Sequence, residues 1–174
     1  MIILKLLSKL IKVLRAGPSP TQVAGGFTLG MFLGLIPGFN FYWFLVFMVI
    51  LLLNVNISAV ILGSLVFSLF AYLLDPVAHN LGFILLTDVE WLKEFWTTLY
   101  NLPVFPLSGY NNTVVLGSLV VSLLSTTPVY FLARSGIVQY REKLDPKFKK
   151  FKLVKIVKGS KIYTFYARVR NLGD

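Results

Sequence analysis

Asp75 and His79 are the residues best placed to do chemistry in this sequence. They stand four apart, His79 is the only histidine, and both follow a long uncharged stretch. Ionisable groups in or beside apolar spans are functional suspects. If the chain stays helical, that spacing lets the imidazole hydrogen-bond the carboxylate. A proton relay or a ligand contact is the chemistry open to such a pair. One histidine with one carboxylate is too small a set for a metal site. Arg134 ends a second uncharged stretch and is expected to anchor its helix. No phosphate-binding loop, metal-ligand cluster, GxSxG or carboxylate pair facing a base accompanies them. There is no cysteine, so disulfides and thiol catalysis are excluded. The chain is expected not to be an enzyme and to need no cofactor or metal.

The elements that position these residues are apolar. Of 174 residues 56% are hydrophobic and 14% charged. No Asp, Glu, Lys, Arg or His occurs from Ala16 to Leu74, nor from Phe95 to Ala133. A membrane-spanning helix needs about 20 apolar residues, so both stretches can hold spans. The fold class expected is an all-α integral membrane protein.

The net charge of +10 is concentrated at the ends. Residues 1–16 read as a basic amphipathic helix. Lys5, Lys9, Lys12 and Arg15 share one face, with leucines and isoleucines on the other, which suits the surface of an anionic membrane. Interrupted by lysines, this segment is not a signal peptide. The tail, 134–174, carries twelve basic and three acidic residues. Lys149, Lys150, Lys152 and Lys155 are expected to contact anionic phospholipid. Helices are expected there, with a β-hairpin at Gly159-Ser160 as the competing reading. The tail shows no nucleic-acid reader motif.

Between the ends lies the membrane domain, 17–133. Ser19 and Pro20 form a helix start. Thr21 to Ile36 and Phe41 to Leu53 flank Pro37-Gly38-Phe39-Asn40. Each apolar arm reaches roughly 20 Å at 1.5 Å per residue, short of a hydrocarbon core of about 30 Å. Pro-Gly before Asn is a turn signal. The pair, 21–53, is therefore expected to be a re-entrant hairpin rather than one helix kinked at Pro37. A span at 57–74 should end at Asp75-Pro76, followed by a short apolar segment, 77–86. A connector, 87–112, contains the aromatic surface helix "DVEWLKEFWTTLY". The last span is 113–133. Basic ends place both termini in the cytoplasm and the acidic connector opposite.

Small residues mark where helices can meet. Gly26, Gly30 and Gly34 recur every fourth residue, a pattern that permits close backbone approach in lipid. Pro37 and Gly38 mark the tip. Gly63 with Ser64 and Gly117 with Ser118 are candidate receiving faces. They fall in "LGSLVFSL" (62–69) and "LGSLVVSL" (116–123), seven of eight identical, a weak internal repeat. The glycine face serves either packing within the chain or a partner protein or lipid groove.

"SPTQVAGGFTLGMFLGLIPGFN", followed by an apolar run and Asn54-Val55-Asn56, resembles the bacterial membrane proteins grouped as domain of unknown function 2062. The resemblance spans about Pro18 to Leu86. "NNTVVLGSLVVSL" and the basic tail are similar to a narrower subgroup from bacteria with outer membranes, whose genes are paired with one for a larger envelope protein. The resemblance implies an inner-membrane location, a larger envelope partner and no catalytic residues. The expected function is a non-enzymatic subunit assisting lipid transport. A small transporter or channel built on broken helices is the alternative.

Overall fold

The computed structural model describes residues 19–103 and 105–144, and every regular element among them is helical. Five α-helices follow in order: α1 (Pro20–Leu35), α2 (Phe41–Leu52), α3 (Ile57–Phe83), α4 (Glu90–Tyr100) and α5 (Thr113–Gln139). Short turns of π-helix follow α3 (Ile84–Asp88) and α5 (Tyr140–Leu144), and a 3₁₀ turn, Phe105–Ser108, precedes α5. The segments 1–16 and 145–174, with Lys5, Lys9, Lys12, Arg15, Lys149, Lys150, Lys152 and Lys155, lie outside the described residues.

Side-chain caps set where the long helices begin. The Ser19 hydroxyl accepts from Thr21 N at 3.2 Å, with Pro20 at the first helical position. Asn40 closes the turn after α1: its Nδ2 donates to Pro37 O and its Oδ1 accepts from Trp43 N at 3.0 Å. Asn56 Oδ1 accepts from Ala59 N, and Asn112 Oδ1 from Val114 and Val115 N. Each satisfies amides that a helix start leaves unpaired. That matters most where no water can reach them.

Glycine contacts fix how α1 and α3 run. Gly26 meets the Asn56 carbonyl and Ala59, Gly30 meets Val60, Gly63 and Ser64, and Gly34 meets Ser64 and Ser68. The numbers rise together, so the two helices are parallel. Asn56 N donates to Gln22 O at 3.1 Å, which returns the chain to the starting level of α1. The α1–α2 pair is thus a helical hairpin that leaves from and returns to one end of α3. Gly34 lies opposite Ser68, about 16 Å along a helix about 40 Å long. The hairpin is therefore much shorter than α3.

α5 runs back antiparallel to α3. Gly82 abuts the Thr113 carbonyl and Gly117 the Ala78 carbonyl. Near the opposite end Ile137 joins Val23, Ala24 and Ala59 in a buried cluster. A second cluster holds Met31, Phe32, Leu35, Ile36 and Val115. From Val138 a second compact unit begins; its described residues are the end of α5 and the turn after it.

Two boundaries differ from the sequence reading. The span was expected to stop at Asp75-Pro76, with 77–86 a separate piece, yet α3 continues through Pro76 to Phe83. Proline withholds one N–H, the one that would serve the Tyr72 carbonyl. Stopping the helix would free several backbone groups, and Ala78 and Gly82 beyond the proline pack on α5. Similarly, α5 passes Ala133 to reach Gln139 with Pro128 inside it, because Ile137 is still buried.

The hairpin contact should be intolerant of side chains. A Cβ at Gly30 would collide with the Val60 carbonyl and stand 2.8 Å from Ser64 N, whereas one at Gly136 would meet nothing within 4 Å. Gly30→Leu is expected to cost about 3 kcal/mol or more in micelle unfolding measurements. Gly136→Ala should be neutral or add up to about 1 kcal/mol. Equal effects at the two positions would contradict the packing described.

Candidate functional site

The groups best placed to act lie where the end of α1 meets α3 and α5. Leu35 of α1, Ala71, Leu74 and Ala78 of α3 and Val121 of α5 line a shallow dent too tight to admit a water molecule. Two polar residues complete its lining, Asp75 and Ser118. Asp75 is half-buried and has no hydrogen bond or ion pair among the described residues. Ser118 is buried, at 3% exposure, and its hydroxyl is likewise without a partner there. Its neighbours on α5 differ. The Ser122 hydroxyl donates to Ser118 O at 2.7 Å, and Thr126 to Ser122 O at 2.8 Å, each bonding its own helix backbone.

His79 does not join Asp75. Its Nδ1 pairs with the Thr113 hydroxyl at 2.7 Å, and its ring leans on Phe83. The start of α5 brings Thr113 within reach of the imidazole, while Asp75, one turn earlier on α3, has no partner among the described residues. The expected Asp75–His79 pair is thus replaced by a tie between α3 and α5. Among the described residues no three His, Cys, Asp or Glu side chains group as metal ligands would.

The glycine stripe is filled from within the chain. Gly26, Gly30 and Gly34 are covered by α3, and Gly63 reciprocally meets the backbone of Phe27. Ser64 contributes backbone atoms to this contact. That face of α1 is closed to a second protein. Gly117 and Ser118 face α3, so the two LGSL segments each place their glycine at a helix crossing. Pro37 and Gly38 belong to a different category. Both are exposed at the hairpin tip, and no atom lies within 4 Å of a Cβ position on Gly38. Gly38 is there for its φ of +75°, which other residues rarely adopt.

The sequence reading missed the Ala78–Gly82 pair, a small-xxx-small spacing hidden once a break at Pro76 was assumed. It also missed a network linking the connector to the hairpin. Trp96 Nε1 donates to Leu85 O at 2.8 Å and its ring stacks on Tyr110. Tyr110 Oη donates to Trp96 O at 3.0 Å. Ser108, almost fully buried, donates to Tyr42 Oη at 3.4 Å, at the start of α2. The partners lie up to 66 residues apart, beyond any local signal. Trp91 and Phe95, by contrast, stay exposed.

Two helical stretches, Ile57–Asp88 and Thr113–Glu142, are long and apolar enough to cross a membrane. Only 17% and 28% of their most apolar windows is buried, so their apolar side chains face outward instead of forming a core. The class is an α-helical protein with two candidate membrane-spanning helices. Within that class the chain belongs to the family described as "Uncharacterized protein conserved in bacteria (DUF2062)", whose model matches residues 5–144. It is 29% identical over 144 residues to an uncharacterized protein of Treponema pallidum (strain Nichols), covering 83% of this chain and 88% of that one. No solved structure matches it.

Burial pushes the Tyr110 phenol above its ordinary value, with Tyr100 and Tyr42 adding to the shift. A raised phenol keeps its contribution to stability below the unfolded value of about 10 and loses it as pH rises through the folded value. Stability of the protein in micelles should therefore fall above about pH 10, and less steeply in Tyr110→Phe. At neutral pH that variant should lose about 1 kcal/mol with its bond to Trp96. Identical alkaline slopes would refute the assignment.

Proposed function

We propose that this protein is a non-enzymatic subunit of the bacterial inner membrane that works with a larger envelope protein in lipid transport. In this reading α3 and α5 cross the bilayer. The α1–α2 hairpin enters and leaves on the cytoplasmic side, the connector lies in the periplasm, and both termini are cytoplasmic. The basic ends hold anionic phospholipid. What supports the topology is the hairpin's return to the starting level of α1. The positive-inside rule supports the orientation.

One observation carries the assembly. With α1 committed to α3, α2 is the arm left open. Its twelve residues are all apolar or aromatic, and only Ile50 is buried. Phe44, Leu51 and Leu52 are 54%, 59% and 84% exposed. A short apolar helix held so lightly suits docking against a membrane helix of the partner, through van der Waals packing.

Photo-crosslinkers at Phe44, Leu51 and Leu52 should trap one larger membrane protein, and one at buried Ala24 should not. Reconstituted with that partner, the complex should move phospholipid between membranes and pass no small solutes. A partner-free monomer in every mild detergent would overturn the assembly. Solute flux by the isolated chain would favour a transporter instead.

A further inference from the structure

The turn between α1 and α2 is exposed and its backbone is irregular. Pro37, Gly38 and Phe39 all face outward, Phe39 at 89% exposure. The Gly38 and Phe39 amides make no hydrogen bond among the described residues. Unpaired backbone groups facing lipid are excluded from the hydrocarbon layer, where nothing can satisfy them. The tip therefore needs headgroups or water around it. A hairpin that stopped half-way across a bilayer would deny it both.

Depth is set by α3. From Ile57 to Leu74 it is uncharged, a length of about 27 Å, close to a hydrocarbon core of about 30 Å. The hairpin tip reaches the far end of that length. Leu35, the last residue of α1, lies with Leu74 and Asp75, and Ile36 clusters with Val115 near the start of α5. Tyr42, in the first turn of α2, accepts its bond from Ser108 of the connector. The aromatic residues agree. Phe39 packs edge-on against Trp43, ring centroids 4.7 Å apart, and exposed Tyr72 stands nearly one turn before Asp75. Tryptophan and tyrosine gather at headgroup level.

The open arm is short for such a crossing. Between Asn40 and Asn54 the apolar run Phe41 to Leu53 measures about 20 Å. A bilayer accommodates a short apolar segment by thinning beside it. Neighbouring helices cover α1, whereas α2 is exposed along most of its length, so the mismatch falls on whatever lies beside α2.

We propose that the α1–α2 hairpin crosses the whole apolar layer, that its tip surfaces with the connector, and that the bilayer is pinched along α2 to about 20 Å. The two headgroup layers then come closest beside α2, which gives the lipid-transport reading a definite place on this chain. The proposal rests on the membrane reading above and is independent of the partner.

The test uses the full chain alone. It contains no cysteine, so Phe39→Cys, Leu107→Cys and Asn54→Cys, all at exposed positions, each place one thiol. A charged maleimide is applied to right-side-out and to inverted membrane vesicles. Phe39→Cys should react from the same side as Leu107→Cys, about tenfold or more faster than from the other, because a charged reagent is kept out of the hydrocarbon layer. Asn54→Cys should react from the opposite side. Reaction of Phe39→Cys from the Asn54 side, or from neither side, would overturn the crossing while leaving the two spans intact. Reaction of Leu107→Cys and Asn54→Cys from one and the same side would instead sink the membrane reading, and the proposal with it. Wild-type protein, which needs no variant to fold, tests the pinch. Its thermal unfolding temperature should be highest in vesicles of short-chain phospholipid and fall as the acyl chains lengthen. A maximum in the longer-chain lipid that matches α3 would overturn the pinched layer. Failure of the partner experiments alone would leave both results standing.

Discussion

Backbone contact between α1 and α3 is the constraint on which the rest of the structure depends. Along Gly26, Gly30 and Gly34 the two helices approach so closely that a methyl group would strike a carbonyl oxygen. In the membrane reading proposed above, no hydrophobic effect draws the helices together, and van der Waals contact of this kind does so instead. The contact makes the helices parallel. Parallel neighbours in one chain need a return element, and α2 supplies it. The hairpin is thus a consequence of the α1–α3 contact as much as of the turn at Gly38.

α3 is the shared element. Its first half receives α1, and Ala78 and Gly82 in its second half receive the start of α5. The two contacts use the same device in opposite senses, one parallel and one antiparallel. Asp75 falls where one contact gives way to the other, beside the end of α1. A proline there leaves the helix continuous, because both sides of it are held by packing. The position of the carboxylate therefore follows from three helices meeting, and not from any local motif.

The connector is tied down more firmly than its loop-like sequence suggests. Trp96, Ser108 and Tyr110 turn inward and reach Leu85 and Tyr42 through hydrogen bonds. The tie reaches α2 near the hairpin tip, so a displacement of the hairpin would be felt in the connector. Trp91 and Phe95 remain outside.

Uncharged runs, helix starts and small-residue spacing were legible in the sequence, because each reflects a local rule. A long helix in lipid excludes charge, a helix start needs a cap, and close backbones need glycine. The helix start at Ser19-Pro20 and the glycine spacing of α1 could be read directly for that reason. What each glycine touches could not, since the same spacing serves a partner or a neighbour in the chain; tertiary packing gave that face to α3 and left α2 open. Nor could the fate of Asp75-Pro76. Locally the pair reads as a stop, and only contacts made beyond it by Ala78 and Gly82 hold the helix together. Thr113, 34 residues from His79 in the chain, takes the imidazole only because α5 folds back alongside α3. Among the described residues that fold leaves Asp75 without a partner, and only an assembled bundle could decide it.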